Sequence, residues 1–208
     1  MADQDAARIE AREARIMGHP PRIAPMTPDE FTDEARESVR ALRRAVGLAD
    51  DATAPVPEYV ATTLRHPALY TAHTTLALHL MRGALADRDR ELAILRTGWL
   101  CQAPFEFGEH VKIGRRTANL TPVEVEWVTI GSAAPGWGDH DRAIIRAVEE
   151  LHADAMISDE TWAVLARRLD DRQLLELPIL VGQYMGVAFQ QNSLRVRMMP
   201  GNVGLMAR

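Results

Sequence analysis

Cysteine is almost missing from this chain: Cys101 is the only one in 208 residues. An intrachain disulfide is therefore impossible, and no CxxC redox or zinc motif exists. No run of apolar residues is long enough to span a membrane. The opening stretch, MADQDAARIEAREARIMG, lacks the apolar centre of a secretory signal. It also carries Asp3, Asp5, Glu10 and Glu13, acids that a mitochondrial presequence avoids. A cytoplasmic protein with no membrane partner is expected. A basic stripe is absent too: the basic residues are scattered among acids at a formal net charge of -5, so no nucleic-acid partner is expected. Finally, no stretch alternates β-branched and polar residues, which leaves little basis for a sheet.

What is present points to helices. The length suffices for one domain with a real core and is too short for two comfortable ones. Thr27-Pro28-Asp29-Glu30 and Thr121-Pro122-Val123-Glu124 each combine a capping Thr, Pro at the first helical position and Glu at the third. Asp170 with Gln173 gives a weaker version, and Ser158 precedes two acids suited to the positive end of a helix. Between the caps, Leu92, Leu95 and Trp99 recur at helical spacing, as do Ile144, Ile145, Val148 and Leu151. Leu174, Leu175, Leu177, Leu180 and Val181 suggest a buried helix. Breakers fall at residues 47–57, 102–104 and 131–138. The fold class is all-α, with about eight or nine helices. Residues 1–20 read as a mobile or partner-seeking helical arm, 21–195 as a single domain and 196–208 as an irregular tail.

The chemically informative stretch is residues 88–116, RDRELAILRTGWLCQAPFEFGEHVKIGRR. Pro104 opens a helix on which Glu106 and His110, four apart, share a face. A carboxylate beside an imidazole can fix its tautomer and raise its basicity, which suits acid–base work near neutral pH. Glu91 lies near the start of the preceding helix and faces the same pocket if the two helices pack antiparallel. Glu/His pairs one turn apart are also frequent on solvated faces, where they do little. Here Phe105, Phe107, Val111 and Ile113 wrap the helix in apolar surface, and an enclosed polar pair needs partners or a task.

The run from Arg90-Glu91 through Phe105-Glu106-Phe107-Gly108-Glu109-His110 resembles the core motif of the carboxymuconolactone decarboxylase family, within the AhpD-like superfamily. Pro21-Arg22-Ile23, Leu64-Arg65-His66-Pro67 and Leu180-Val181-Gly182-Gln183-Tyr184 extend the likeness over residues 20–195. It implies an AhpD-like helical bundle and a homo-oligomer, trimer or hexamer, with its pocket near a subunit interface. The peroxidase branch of that superfamily uses a glutamate, a CxxC pair and a histidine. Glu91 and His110 match its glutamate and histidine, but Ala103 and Glu106 stand where its cysteines would be. A disulfide-cycling peroxidase needs both thiols, so the resemblance favours the decarboxylase-type branch, which needs no cofactor. Cys101 is then a packing residue.

The expected catalytic set is Glu91, Glu106 and His110: His110 as acid/base, Glu106 orienting it or relaying its proton, and Glu91 completing the network. Arg96, in an otherwise apolar helix segment, is a candidate fork for a substrate carboxylate, the alternative being an ion pair. Tyr184 is a candidate hydrogen-bond donor to substrate, the alternative being an ordinary core tyrosine. His66, His73 and His79 do not share one helical face and no carboxylate completes a site there, so no metal is expected. Trp99, Trp127, Trp137 and Trp162 are read as core or interface anchors. The family's aromatic-Glu-aromatic stretch usually reads Tyr-Glu-Trp, whereas here it is Phe105-Glu106-Phe107, which removes two donors. The expected function is a cofactor-independent lyase acting on a small carboxylated or lactone-type substrate. The alternatives are a peroxidase using Cys101, an isomerase, dehydratase or cyclase on the same scaffold, or a non-catalytic ligand-binding protein.

Overall fold

The computed structural model describes residues 2–51 and 56–208. Among these the chain forms ten α-helices and two short 3-10 turns, with no strand. The helices are α1 Ala2–Met17, α2 Asp33–Ala45, α3 Glu58–Thr63, α4 Pro67–Met81, α5 Asp87–Leu100, α6 Pro104–Thr117, α7 Pro122–Ile130, α8 Asp139–Asp154, α9 Asp159–Leu165 and α10 Asp171–Leu194. The 3-10 turns are Pro28–Glu30 and Gly204–Ala207. The loop expected over 47–57 runs partly through residues 52–55, which lie outside the described residues, as does Met1 of the N-terminal arm.

Most helix starts follow the side chains that cap them. The Thr121 hydroxyl accepts from the Glu124 N–H while the Glu124 carboxylate accepts from the Thr121 N–H at 2.8 Å, the reciprocal pair of a capping box. Asp170 and Gln173 do the same for α10, and Ser158 caps α9. The Thr27 device behaves differently. Glu30 reaches back to the Thr27 N–H at 2.7 Å, yet only a three-residue 3-10 turn follows. The helix proper starts after Thr32, whose hydroxyl accepts from the Ala35 N–H. The intervening Phe31, which is buried, turns inward to a small cluster with Met26, Ala35, Val39, Leu64 and Tyr70.

The main core is built around α5, in which every residue from Asp89 to Trp99 is buried. Helix α6 returns along it after a short turn at residues 101–103. Gly98 brings the two backbones close beside Phe107, while Glu91 meets His110 at the other end, an antiparallel hairpin. Helices α8 and α10 cover other sides of α5. On α10 the buried stripe is Leu174, Leu177, Val181, Tyr184, Ala188 and Gln191, spaced three and four. The expectation that the whole segment 174–181 is buried needs correction: Leu175 and Ile179 are 72% and 54% exposed. A single helix cannot bury residues on opposite sides against one neighbour.

The terminal segments are part of this assembly. Ile9 and Ile16 of α1 are buried, the Arg12 guanidinium donates to the carbonyl of Gln102 at 3.0 Å, and Glu13 accepts from the Leu205 N–H at 2.9 Å. Asn202 donates to the Phe105 carbonyl and sits where a side chain at Gly108 would otherwise be. The segment read as a mobile or partner-seeking helical arm is a helix, and its Ile9 and Ile16 pack on the core, while the tail ends in a 3-10 turn with Leu205 buried.

Candidate functional site

His110 is buried between two carboxylates. Its Nδ1–H donates to Glu91 Oε2 at 2.8 Å, and its Nε2–H faces Glu106 Oε1 at 3.1 Å. The first contact comes from the antiparallel α5–α6 pairing and the second from the four-residue spacing along α6. Glu91 is fully inaccessible, and Glu106 and His110 are nearly so. Arg90 donates to Glu91 Oε1 at 3.3 Å and to Asp87 at 2.8 Å. Gln191 of α10 donates its amide to Glu106 Oε2 at 2.6 Å. The structure thus brings together the three expected catalytic residues.

Burial by itself disfavours the imidazolium, but hydrogen bonds and charge from Glu106 and Glu91 outweigh it and raise the His110 pKa to about 9. At neutral pH the ring is therefore a cation with both N–H groups committed to carboxylates, a stored proton rather than a vacant base. The Tyr184 ring stands edge-on to His110 at 5.1 Å, with its hydroxyl directed to Met81 Sδ at 3.4 Å. Burial, and after it the charges of Glu106 and Glu91, keep this phenol protonated by raising its pKa.

A cavity of about 540 Å³ opens between α3, α4 and α10, and none of Glu91, Glu106, His110 and Tyr184 is in its lining. Tyr59 and His73 line it and connect it to the site. The Tyr59 ring packs against Phe105 at 6.0 Å, and its hydroxyl donates to Gln190 at 2.7 Å. Burial and then the Glu106 charge raise the Tyr59 pKa. The His73 pKa is lowered by burial, with Glu106 opposing, and its Nε2 accepts from Gln183 at 3.0 Å. Two neutral groups in the cavity wall thus sense the carboxylate of Glu106. The lining is mostly apolar, as for pockets that enclose small organic molecules.

Arg96 is placed elsewhere. Its Nη1 donates to the carbonyls of Val128 and Thr129 at the end of α7, and its Nη2 to Glu149 at 2.7 Å. Glu149 also accepts from the Ser132 N–H and hydroxyl. Arg96 and Glu91 are five positions apart on α5, which turns their side chains to different sides. The reading of Arg96 as a substrate fork is therefore corrected: it is the intrachain ion pair. His66 and His73 border the same cavity, while His79 lines a different one with Arg82 and Glu176. Among the described residues no three His, Cys, Asp or Glu side chains are arranged to hold a metal ion. Trp99 and Trp137 are core residues, Trp127 is half-buried against Trp137, and Trp162 is exposed.

Cys101 caps the end of α5, and burial pushes its thiol pKa up to about 11 despite the nearby Arg12. Gln191 and Arg90 were not singled out from the sequence. Gln191 carried a signal, since it continues the three-and-four stripe of buried apolar residues on α10 and is its only polar member beyond Tyr184. Its Oε1 is buried without a partner.

No protein-family model matches the sequence, and neither does any curated protein sequence. Solved structures do match. A peroxidase-related protein with an AhpD core from Ralstonia eutropha superposes with a TM-score of 0.68 at 16% identity, covering 87% of this chain and 94% of that one. A peroxidase-related protein from a Silicibacter species gives 0.69 at 15% identity, covering 88% and 95%. The apo form of a debrominase gives 0.62 at 13% identity, covering 86% and 92%. Likeness at such low identity resides in the backbone, and what it establishes is that this chain has the AhpD-like all-α fold.

Proposed function

We propose that this protein is a cofactor-independent acid–base enzyme, a lyase of the decarboxylase type acting on a small carboxylated or lactone-type substrate bound in the cavity beside Tyr59 and His73. The observation that carries this reading is the buried imidazolium of His110 held between Glu91 and Glu106, whose charge is felt by Tyr59 and His73 in the cavity wall. Glu91, fully buried, fixes the ring through Nδ1, as an orienting carboxylate does. Glu106 is the relay. When the bond from the substrate carbon to its carboxylate breaks, carbon dioxide leaves and the electron pair delocalises into a conjugated carbonyl. Glu106 takes the proton of His110 Nε2 and passes it to that carbon, leaving a carboxylate and a neutral ring that a solvent proton recharges. Tyr184 packs edge-on against the His110 ring, with its hydroxyl engaged by Met81 Sδ.

The same acid–base set could serve an isomerase, dehydratase or cyclase, since each step is a proton transfer at carbon or oxygen. The peroxidase-related neighbours keep a Cys101 peroxidase in view, but a thiol raised to about 11 with no second cysteine is poorly suited to it. We also propose a homo-oligomer, trimer or hexamer. Leu175, Ile179 and Phe189 are exposed on α10 and continue through Gly182 and Gly186 at alternating spacings of four and three, the pattern of a helix-pairing seam. Light scattering on wild type and Ile179→Asp tests this; a wild-type monomer would end the proposal.

Turnover on carboxymuconolactone, related lactones and β-keto acids tests the enzymatic reading, with wild type, His110→Gln and Cys101→Ser compared. Carbon dioxide release should survive the cysteine change and fall about 10²- to 10⁴-fold with the histidine change. Peroxide consumption lost with Cys101→Ser would establish the peroxidase instead.

A further inference from the structure

The scattered arginines of the sequence are not scattered in space. Arg12 and Arg15 on α1, His19 and Arg22 in the segment after it, and Arg195 at the end of α10 line one cavity of about 500 Å³. Its lining contains no acidic side chain. Arg15, Arg22 and Arg195 make no side-chain hydrogen bond or ion pair with the described residues. Arg12 donates only to the neutral carbonyls of Gln102 and Cys101. Four arginines, of which Arg15 and Arg22 are exposed, therefore line one cavity with no carboxylate in its wall, and Arg12 feels the charge of Arg15 directly, in a protein whose net charge is -5. Elsewhere in the molecule the buried or half-buried arginines are satisfied either by carboxylates, as Arg88, Arg90 and Arg96 are, or by backbone carbonyls, as Arg142 and Arg197 are. Arg195 also adopts φ +60, a left-handed turn that glycine or asparagine closes at lower cost. Like charges gathered without partners repel one another, and a bound anion relieves that repulsion.

We infer that this cavity is a binding site for a small, multiply charged phosphate-bearing anion. The arginines come from three separate chain segments on different sides of the cavity wall. A planar carboxylate has two oxygens to offer, whereas a phosphate offers three in a tetrahedral array. The volume exceeds one phosphate group, leaving room for a second or for an organic moiety. The hydroxyl of Ser193 supplies a neutral donor in the wall. The site shares no lining residue with the cavity beside Tyr59 and His73. The two are nonetheless linked. Asn192, in its wall, follows Gln191, which holds Glu106, and with Arg12 it holds the carbonyls of the 101–102 turn that leads into α6.

Calorimetric titration of the full chain with pyrophosphate, inorganic phosphate, glycerol 3-phosphate and citrate, at ionic strength matched with sodium chloride, tests the inference. Saturable binding of pyrophosphate is expected, together with a raised thermal midpoint. It should weaken about tenfold or more in Arg15→Gln/Arg195→Gln, which removes two charge-assisted contacts. It should remain unchanged in Arg168→Gln, which alters an exposed arginine elsewhere. Arg22→Gln serves if the double variant does not fold. Glycerol 3-phosphate binding tighter than inorganic phosphate would support the site and assign the remaining volume to an organic group. No saturable binding, equal weakening by Arg168→Gln, or citrate binding tighter than pyrophosphate would each overturn the inference.

Discussion

Glu91 and Arg96 lie five residues apart on the same buried helix, and each faces an opposite charge, yet the two networks are built from different materials. Arg96 is held by two backbone carbonyls of α7 and by Glu149, itself fixed by the Ser132 N–H and hydroxyl. A guanidinium does not lose its proton in a protein, so this network has one charge state and joins α5, α7 and α8. The Glu91–His110–Glu106 network is made of side chains alone, and its central member titrates within the range of ordinary pH. A buried ion pair is therefore not by itself the mark of a site. The distinguishing feature is a proton that can move, beside a cavity that can hold its acceptor.

Breaking the Arg96 network should have the largest effect on stability. Arg96→Ala leaves Glu149 half-buried and the α7 carbonyls unpaired, at a cost of about 3–5 kcal/mol. Urea denaturation should show that loss while activity per folded molecule is retained; a selective loss of turnover would return Arg96 to the site. The corresponding change in the other network, His110→Gln, should act chiefly on rate.

The next effect depends on pH. The folded pKa of His110 is raised above its unfolded value of about 6.5. Its contribution to stability is therefore complete below that value and is lost as pH rises through about 9. The stability difference between wild type and His110→Gln should shrink over this interval in denaturation series at several pH values. A constant difference would show that the ring is neutral in the folded protein. No comparable term exists for Arg96→Ala, whose cost should be flat over the same interval.

A smaller change would separate the two carboxylates. Gln191→Leu removes the amide that donates to Glu106 Oε2, a hydrogen bond to a charged group contributing about 1.5–3 kcal/mol. Without it the Glu106 carboxylate loses one of its two fixed partners, so turnover should fall several-fold while the fold is retained. Unchanged turnover would assign Gln191 to packing alone. The smallest effect belongs to a residue outside both networks: Thr121→Ala should cost about 1 kcal/mol of stability by removing the α7 cap, and leave turnover unchanged.

Much of this was legible in the residues. Caps at Thr121, Ser158 and Asp170 mark real helix starts because the signal is local: a side chain meets a backbone N–H three residues on. The Glu106/His110 pair was legible for the same reason, being one helical turn apart. The Thr27 cap misled as to length because the burial of Phe31, a tertiary demand, stops the turn after three residues. Leu175 was misjudged because hydrophobicity says how much a residue gains from burial and not which partner provides it.

Sequence by itself determined the helices, their polarity along the chain and the chemical types available: carboxylates, seven imidazoles, arginines, a lone thiol. Only the tertiary structure decided which of them meet. Glu91 joins His110 across nineteen positions through the α5–α6 hairpin, and Gln191 reaches Glu106 across eighty-five. Arginines from α1 and α10, far apart in sequence, share a cavity. Helical periodicity is a property of a few neighbouring residues, whereas the meeting of distant side chains depends on how whole helices pack, and that is set by the sum of many weak contacts throughout the core.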